Sequence, residues 1–215
     1  MTVTIASLTL GPLGNNVYIL GDEESGAAVV IDPSFEPRRQ ADEIRRRGWT
    51  LRQIWLTHGH FDHTEGAAAL RELFSPAPLV GMHPDAQDWV RTYGKRFSFG
   101  FRSAPLPPVD VPFYQGQRLK LNPDGGKLMV EVREVPGHSP GSVIFYCAEA
   151  GAAIVGDAIF RESIGRTDLP GGNHPQLISA IRTQIFTLPE ETRLLPGHGP
   201  ETSVGCEKVH NPYLS

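Results

Sequence analysis

The chain carries only two cysteines, Cys147 and Cys206, in 215 residues, too few for a disulfide framework. Cys147 falls in the apolar run Val143-Ile144-Phe145-Tyr146-Cys147, where a thiol behaves as a small buried hydrophobe. Cys206 stands in a polar tail, and both are expected as free thiols. Excess positive charge is missing as well. With 20 Lys and Arg against 24 Asp and Glu the formal charge is −4, which leaves no basic footprint for nucleic acid or an anionic membrane. No apolar run reaches the roughly 18 residues of a spanning helix. The start, Met1-Thr2-Val3-Thr4-Ile5, lacks the basic and apolar regions of a secretory signal. These absences point to a cytoplasmic protein with no membrane and no nucleic-acid partner. They leave its oligomeric state open.

What remains is ordinary. Forty per cent hydrophobic and 20% charged residues bury a core without staples, and no repeat or low-complexity block occurs. The length suits one α/β domain over residues 1–215. Alternation and turn residues place strands at 3–10, 17–20, 27–31, 51–57, 78–82, 118–121, 127–135, 142–147, 152–155 and 193–195. Helical spacing and proline or glycine boundaries place helices at 37–47, 64–74, 84–90 and 175–186. Strands followed by helices occur in both halves, the pattern of a layered α/β architecture. Residues 93–115 differ: Phe97, Phe99, Phe101, Phe113 and Tyr114 lie among Pro105, Pro107, Pro108 and Pro112, with Lys95, Arg96 and Arg102. So long an irregular stretch is either a surface loop pinned by its aromatics or a lid beside a substrate.

Chemistry concentrates in His58-Gly59-His60-Phe61-Asp62-His63, directly after Ile54-Trp55-Leu56. On an extended segment His58, His60 and Asp62 project to one side, and His63 faces the same cavity once the chain turns. One histidine alone would be read as surface or core. Three with an aspartate have no reason to crowd unless a cation holds them. Two further histidines share a context, Val135-Pro136-Gly137-His138-Ser139 and Leu195-Pro196-Gly197-His198-Gly199, each just past a strand end, where ligands gather on open sheets. Asp157 follows Ile154-Val155-Gly156 and is either a helix cap or a carboxylate bridging two ions. Seven donors exceed the needs of one tetrahedral zinc and suit two ions. His83 is assigned to packing, His174 to a helix start and His210 to a tail. Asp32 either orients a ligand or caps a turn.

The order Thr-His-x-His-x-Asp-His (Thr57 to His63), Gly137-His138, Gly156-Asp157 and Gly197-His198 resembles the signature of the metallo-β-lactamase superfamily over nearly the whole chain. That resemblance implies an α/β fold, a four-layer αββα sandwich of two mixed sheets flanked by helices. Within the superfamily the chain is most similar to short-form glyoxalase II proteins, hydroxyacylglutathione hydrolases without the C-terminal helical glutathione-binding domain. The similarity rests on Pro136-Gly137-His138-Ser139-Pro140-Gly141, Gly156-Asp157-Ala158-Ile159-Phe160, Gly165-Arg166-Thr167-Asp168, Pro196-Gly197-His198-Gly199-Pro200 and the close of the chain around Asn211-Pro212-Tyr213. It implies that His58, His60 and His138 hold one divalent ion. Asp62, His63 and His198 hold the second, and Asp157 bridges them, with Asp62 and Asp157 as the catalytic carboxylates. Zinc is the expected ion, although iron and manganese accept such donors too. The family's lysine and tyrosine near the substrate fall at Arg166 and Asp168. Arg166 either grips a substrate carboxylate or pairs with Asp168.

The activity so implied is hydrolysis of a small-molecule thioester. Bound ions lower the pKa of water, and a thiolate, with a conjugate acid near pKa 8.5, leaves without a strong general acid. β-Lactamases commonly place a cysteine among the second-ion ligands, and none stands in a motif here. Persulfide dioxygenases share Gly-Arg-Thr-Asp but hold one iron, which would fall to His58, His138 and Asp157. Their last motif reads Pro-Ala-His-Asp where this chain has Pro196-Gly197-His198-Gly199. A non-catalytic metal-binding scaffold is the third reading.

Overall fold

The computed structural model describes residues 2–94 and 104–214. The front half builds β1 (Val3–Leu10), β2 (Asn15–Asp22), β3 (Ala27–Ile31), β4 (Thr50–Trp55), β5 (Leu79–Met82) and β6 (Val111–Pro112), which form one sheet in that order. The first three pair antiparallel through short turns, whereas β3 to β6 run parallel and so need crossovers. Those crossovers carry the helices: α1 (Pro37–Arg46) before β4, then α2 (Phe61–Thr64) and α3 (Ala67–Glu72), then α4 (Pro84–Trp89) after β5. Pro37 and Pro84 each open a helix, where a missing N–H costs nothing.

The back half builds β7 (Arg118–Lys120), β8 (Met129–Glu134), β9 (Val143–Cys147), β10 (Ala152–Gly156), a small hairpin of β11 (Ile159–Phe160) and β12 (Ser163–Ile164), then α5 (His174–Ala180), β13 (Arg193–Pro196), β14 (Thr202–Ser203) and α6 (Val204–His210). Its sheet runs β14-β13-β10-β9-β8-β7, with β10 and β13 parallel and the other pairs antiparallel. Both sheets are therefore mixed.

Period-two alternation divides each buried strand between two cores. Val29 and Ile31 face inward with Leu20, Trp55 and Phe113, meeting Val130, Val132, Phe145, Ile154 and Leu195 of the other sheet. Ala28 and Val30 point outward with Ile19, Ile54 and Val80 onto Ala41, Ile44, Leu70 and Ala86 of the helices. On the far side Ile144, Ala153, Val155 and Leu194 pack against Leu177, Ile181, Ile185 and Val204. Helix, sheet, sheet, helix: the four expected layers are present.

Local differences have local causes. The helix expected at 64–74 starts three residues earlier and breaks at Gly66, where a Cβ would stand 1.9 Å from the Ser34 carbonyl oxygen. The helices expected at 84–90 and 175–186 are α-helical only as far as Trp89 and Ala180, and each continues in a wider π-type turn, Val90–Gly94 and Ile181–Ile185. The expected polar tail around Cys206 is instead α6, capped by the Ser203 hydroxyl. Both cysteines are free, and burial pushes the Cys147 thiol up to about 11. Of the segment 93–115, Phe113 is core and Tyr114 is exposed. Lys95, Arg96, Phe97, Phe99, Phe101 and Arg102 lie outside the described residues. Among the described residues no helix is long and apolar enough to cross a membrane.

The sheets meet on three aromatic rings. Trp55 lies 5.2 Å from Phe145 and 6.2 Å from Phe113, and the two phenylalanines are 5.5 Å apart. Phe145→Ala should lower unfolding free energy by about 3–5 kcal/mol, measured by denaturant titration. A loss under about 1 kcal/mol would mean the inter-sheet core closes over the gap.

Candidate metal centre

The strand ends bring the donors together. His58 and His60 follow β4, and His60, extended at φ −67° and ψ 144°, is the residue before α2. Asp62 therefore sits on the first helical turn rather than on the extended segment that alternation suggested. Because the helix starts at Phe61, Asp62 leaves the line of His58 and His60 and joins His63. His138, Asp157 and His198 arrive from the loops after β8, β10 and β13. Glycine is required there: a Cβ on Gly197 would lie 2.3 Å from Asp157 Oδ1 and 2.6 Å from the His63 ring, and Gly137, at φ 128°, would strike the backbone of Leu177. The Pro-Gly-His motifs thus let main chain pass where a side chain cannot.

Two triads result, His58–His60–His138 and Asp62–His63–His198, the candidate donor atoms of each lying within 4.8 Å of one another. Asp157 stands between them. Its Oδ1 is 3.3 Å from His63 Nε2, and its Oδ2 is 3.7 Å from His198 Nε2 and 3.8 Å from His138 Nε2. Asp62 Oδ2 lies 3.2 Å from His198 Nε2 and 3.5 Å from His63 Nε2. All seven side chains read from the sequence meet in one place. His83 is elsewhere, its Nδ1 accepting from the Asp85 amide at the start of α4 and its Nε2 bonding Glu134. His174 opens α5 and His210 ends α6.

Hydrogen bonds outside the cluster set which ring nitrogen faces in. Thr57 Oγ1 donates to Asp32 Oδ2 at 2.6 Å, so it accepts from His58 Nδ1 at 2.9 Å. His63 Nδ1 donates to Asp32 at 2.9 Å, His138 Nδ1 to the Arg166 carbonyl at 2.7 Å, and His198 Nδ1 to the Leu13 carbonyl at 3.1 Å. In each ring the outer nitrogen carries a proton, which leaves the inner Nε2 as the atom turned to the cluster, the arrangement that suits a metal ligand. His60 turns the other way. Its Nδ1 converges with His58 Nε2 at 3.1 Å and His138 Nε2 at 2.9 Å, and its Nε2 is buried without a partner. His63 Nε2 and Asp157 Oδ1 are likewise buried with no hydrogen bond although they face each other. Orphaned donors of this kind, borderline nitrogens beside hard oxygens, fit divalent first-row ions.

Electrostatics agrees. Burial and neighbouring imidazoles hold His58 well below its ordinary value and His60 at about 3, and burial also lowers His138. Burial opposes charge on His63 too, yet Asp157, Asp62 and Asp32 together raise it well above the usual range. Burial acts the opposite way on Asp157, but the charges of His63, His138 and His198 bring it to about 2, and His63 and His198 lower Asp62. A proton on His63 stands where a cation is wanted.

Asp32 does more than cap a turn. Buried and at φ 52°, it accepts from the Thr57 amide at 2.7 Å, the Thr57 hydroxyl and His63. The set Asp32–His58–His63 is also compact enough to suggest ligation, but the Asp32 oxygens are already engaged by these donors, so it is an orienting group. Asn15, the first residue of β2, is buried and donates to Asp62 Oδ2 at 2.9 Å. No spacing signal marks it. Arg166 and Asp168 form a two-pronged ion pair at 2.7 and 2.8 Å, both exposed. The donors open onto a cavity of about 500 Å³ walled by Leu13, Phe61, Phe160, Leu169 and Arg166.

This fold with this centre defines a metal-dependent hydrolase class. A family model described as the metallo-beta-lactamase superfamily matches residues 10–198, and the chain belongs to that superfamily. It is 35% identical to the probable metallo-hydrolase YqgX of Bacillus subtilis over 97% of this chain and 96% of that one. It is 34% identical to the hydroxyacylglutathione hydrolase GloC of Haemophilus influenzae over 93% and 92%. Among solved structures, BLEG-1 B3 metallo-beta-lactamase superposes with a TM-score of 0.90 at 34% identity, covering 99% of this chain and 100% of that one. TTHA1623 in a di-iron-bound form gives 0.84 at 36%, covering 97% and 100%, and ETHE1 from Myxococcus xanthus 0.78 at 29%, covering 97% and 83%.

Two outcomes follow. Asp32→Asn tolerates the left-handed backbone but removes the carboxylate that orients His63, so ion affinity should fall about 10–100-fold in a chelator competition. An unchanged affinity would show that packing alone fixes the ring. Ions must also displace the protons of His63 and His198, whose pKa values are raised. Affinity should therefore weaken as pH falls from 8 to 6, and a flat titration would remove these imidazoles from the donor set.

Proposed function

We propose that the chain is a binuclear hydrolase of small thioesters, of glyoxalase II type, with hydroxyacylglutathione-like substrates. His58, His60 and His138 would hold one ion, Asp62, His63 and His198 the other, and Asp157 both. When bound, such ions supply an activated water and a Lewis acid beside the scissile carbonyl. The chain's own residues do the rest. Asp32, Thr57 and the carbonyls of Leu13 and Arg166 fix the tautomers, so the donors need no rearrangement during turnover. Asp62 and Asp157, committed to the ions, would supply the negative charge that balances them.

The observation that carries the thioester reading is what the cavity wall lacks. Among the described residues lining it, every titratable group is one of the seven donors or Arg166, and a guanidinium does not act as a general acid. A leaving group must then depart unprotonated, which a thiolate does and an alkoxide does not. Leu13, Phe61, Phe160 and Leu169 give an apolar bed for the acyl or thiol portion. Arg166 would meet a substrate carboxylate by exchanging Asp168, whose pKa its guanidinium holds at about 2. The likeness to GloC supports the substrate class, and the di-iron form of TTHA1623 supports an ion pair that need not be zinc.

Likeness to ETHE1 favours a second reading, a mononuclear iron persulfide dioxygenase on His58, His138 and Asp157. The completeness of the Asp62–His63–His198 triad speaks against it. Elemental analysis together with S-D-lactoylglutathione hydrolysis tests the proposal, with glutathione persulfide and a β-lactam assayed beside it. Two ions per chain and thioester turnover are expected, with Asp157→Ala losing at least about 10²–10³-fold in kcat and binding fewer ions. One iron with oxygen uptake, or β-lactam turnover alone, would replace the thioesterase reading.

A further inference from the structure

Glu207 is fully buried and is not one of the seven donors, and among the described residues no cation pairs with its carboxylate. Three donors from three elements converge on it instead. Its Oε1 accepts from the Thr202 hydroxyl of β14 at 2.5 Å, and its Oε2 from the Asn211 side chain at 2.8 Å and the Glu162 amide at 2.9 Å. Glu162 is the turn of the β11–β12 hairpin and holds φ 55°, a conformation a non-glycine residue keeps only where its surroundings enforce it. Asn211, also buried, reaches the same hairpin by donating to the Ser163 carbonyl at 3.0 Å. A two-by-two-residue hairpin has little stability alone, so its place depends on what grips it.

That hairpin carries a wall of the site. Phe160 lines the cavity and packs its ring 6.3 Å from that of His198, while its neighbour Ile159 is anchored in the core beneath α5 and α6. We infer that α6, through Glu207 and Asn211, clamps the hairpin and so fixes Phe160 against the substrate cavity, making both polar residues positioning residues for substrate binding. The inference builds on the hydrolase reading for its substrate but not for its geometry.

Glu207→Gln keeps the volume and leaves one acceptor oxygen in place of two, so at least one of the three donors meets an amide N–H. Hydrogen exchange across 158–165 should speed up by about tenfold or more while peptides containing 57–63 exchange as before. KM for S-D-lactoylglutathione should rise about tenfold, the lower range for a lost apolar contact, with kcat within about twofold and ion content unchanged. Phe160→Ala should raise KM alike, and the double variant no further. Lower global stability with unaltered exchange in the hairpin would overturn the clamp, as would faster exchange with unaltered KM. If Glu207→Gln does not fold, Asn211→Ala removes the Ser163 contact alone among the hairpin bonds and is held to the same outcomes. Should wild type cleave 4-nitrophenyl butyrate but no thioester, the thioesterase reading falls and the KM comparison proceeds with that ester. Should it cleave neither, the exchange rates decide.

Discussion

Five imidazoles and two carboxylates share one pocket from which water is largely excluded, and such a group has few tolerable protonation patterns. The chain settles the pattern from outside. Four rings give their outer N–H to Asp32, Thr57 Oγ1 or a main-chain carbonyl, and that commitment dictates where the loops of Leu13, Thr57 and Arg166 must run. Loop geometry around the cavity is thus a by-product of fixing lone pairs.

The two sheets make this possible by their arrangement. Each contributes strand ends to the same edge, the first supplying His58 to His63 and the second His138, Asp157 and His198. Tyr18 and Asn16 of β2 stitch that edge by donating to the Pro196 and Gly197 carbonyls. The inter-sheet packing of Trp55, Phe113 and Phe145 sets the distance across which the donors face one another. Metal chemistry and hydrophobic packing constrain the same gap.

Much of this was legible in residues alone. Period-two runs marked the principal strands, and prolines marked two helix starts, because those signals are local. The seven donors were legible because their residue types are rare at such spacing. What escaped has a shared cause. Asn15, the carbonyls of Leu13 and Arg166, and Glu207 act through contacts 28 to 185 residues apart in the chain, and a main-chain oxygen has no residue type to betray it. The break between α2 and α3 depends on Gly66 meeting Ser34, again a tertiary matter. Arg166 and Asp168 left two options open, and the structure takes the ion pair without removing Arg166 from the cavity wall.

Leu13 and Arg166 share a division of labour. Each supports a histidine by its peptide oxygen and turns its side chain toward the cavity. Backbone does one task and side chain the other. Either position can therefore change identity, and with it the kind of molecule admitted, while the support under the histidine stays as it was. A lineage built on this plan can drift from one substrate to another without dismantling its reactive core.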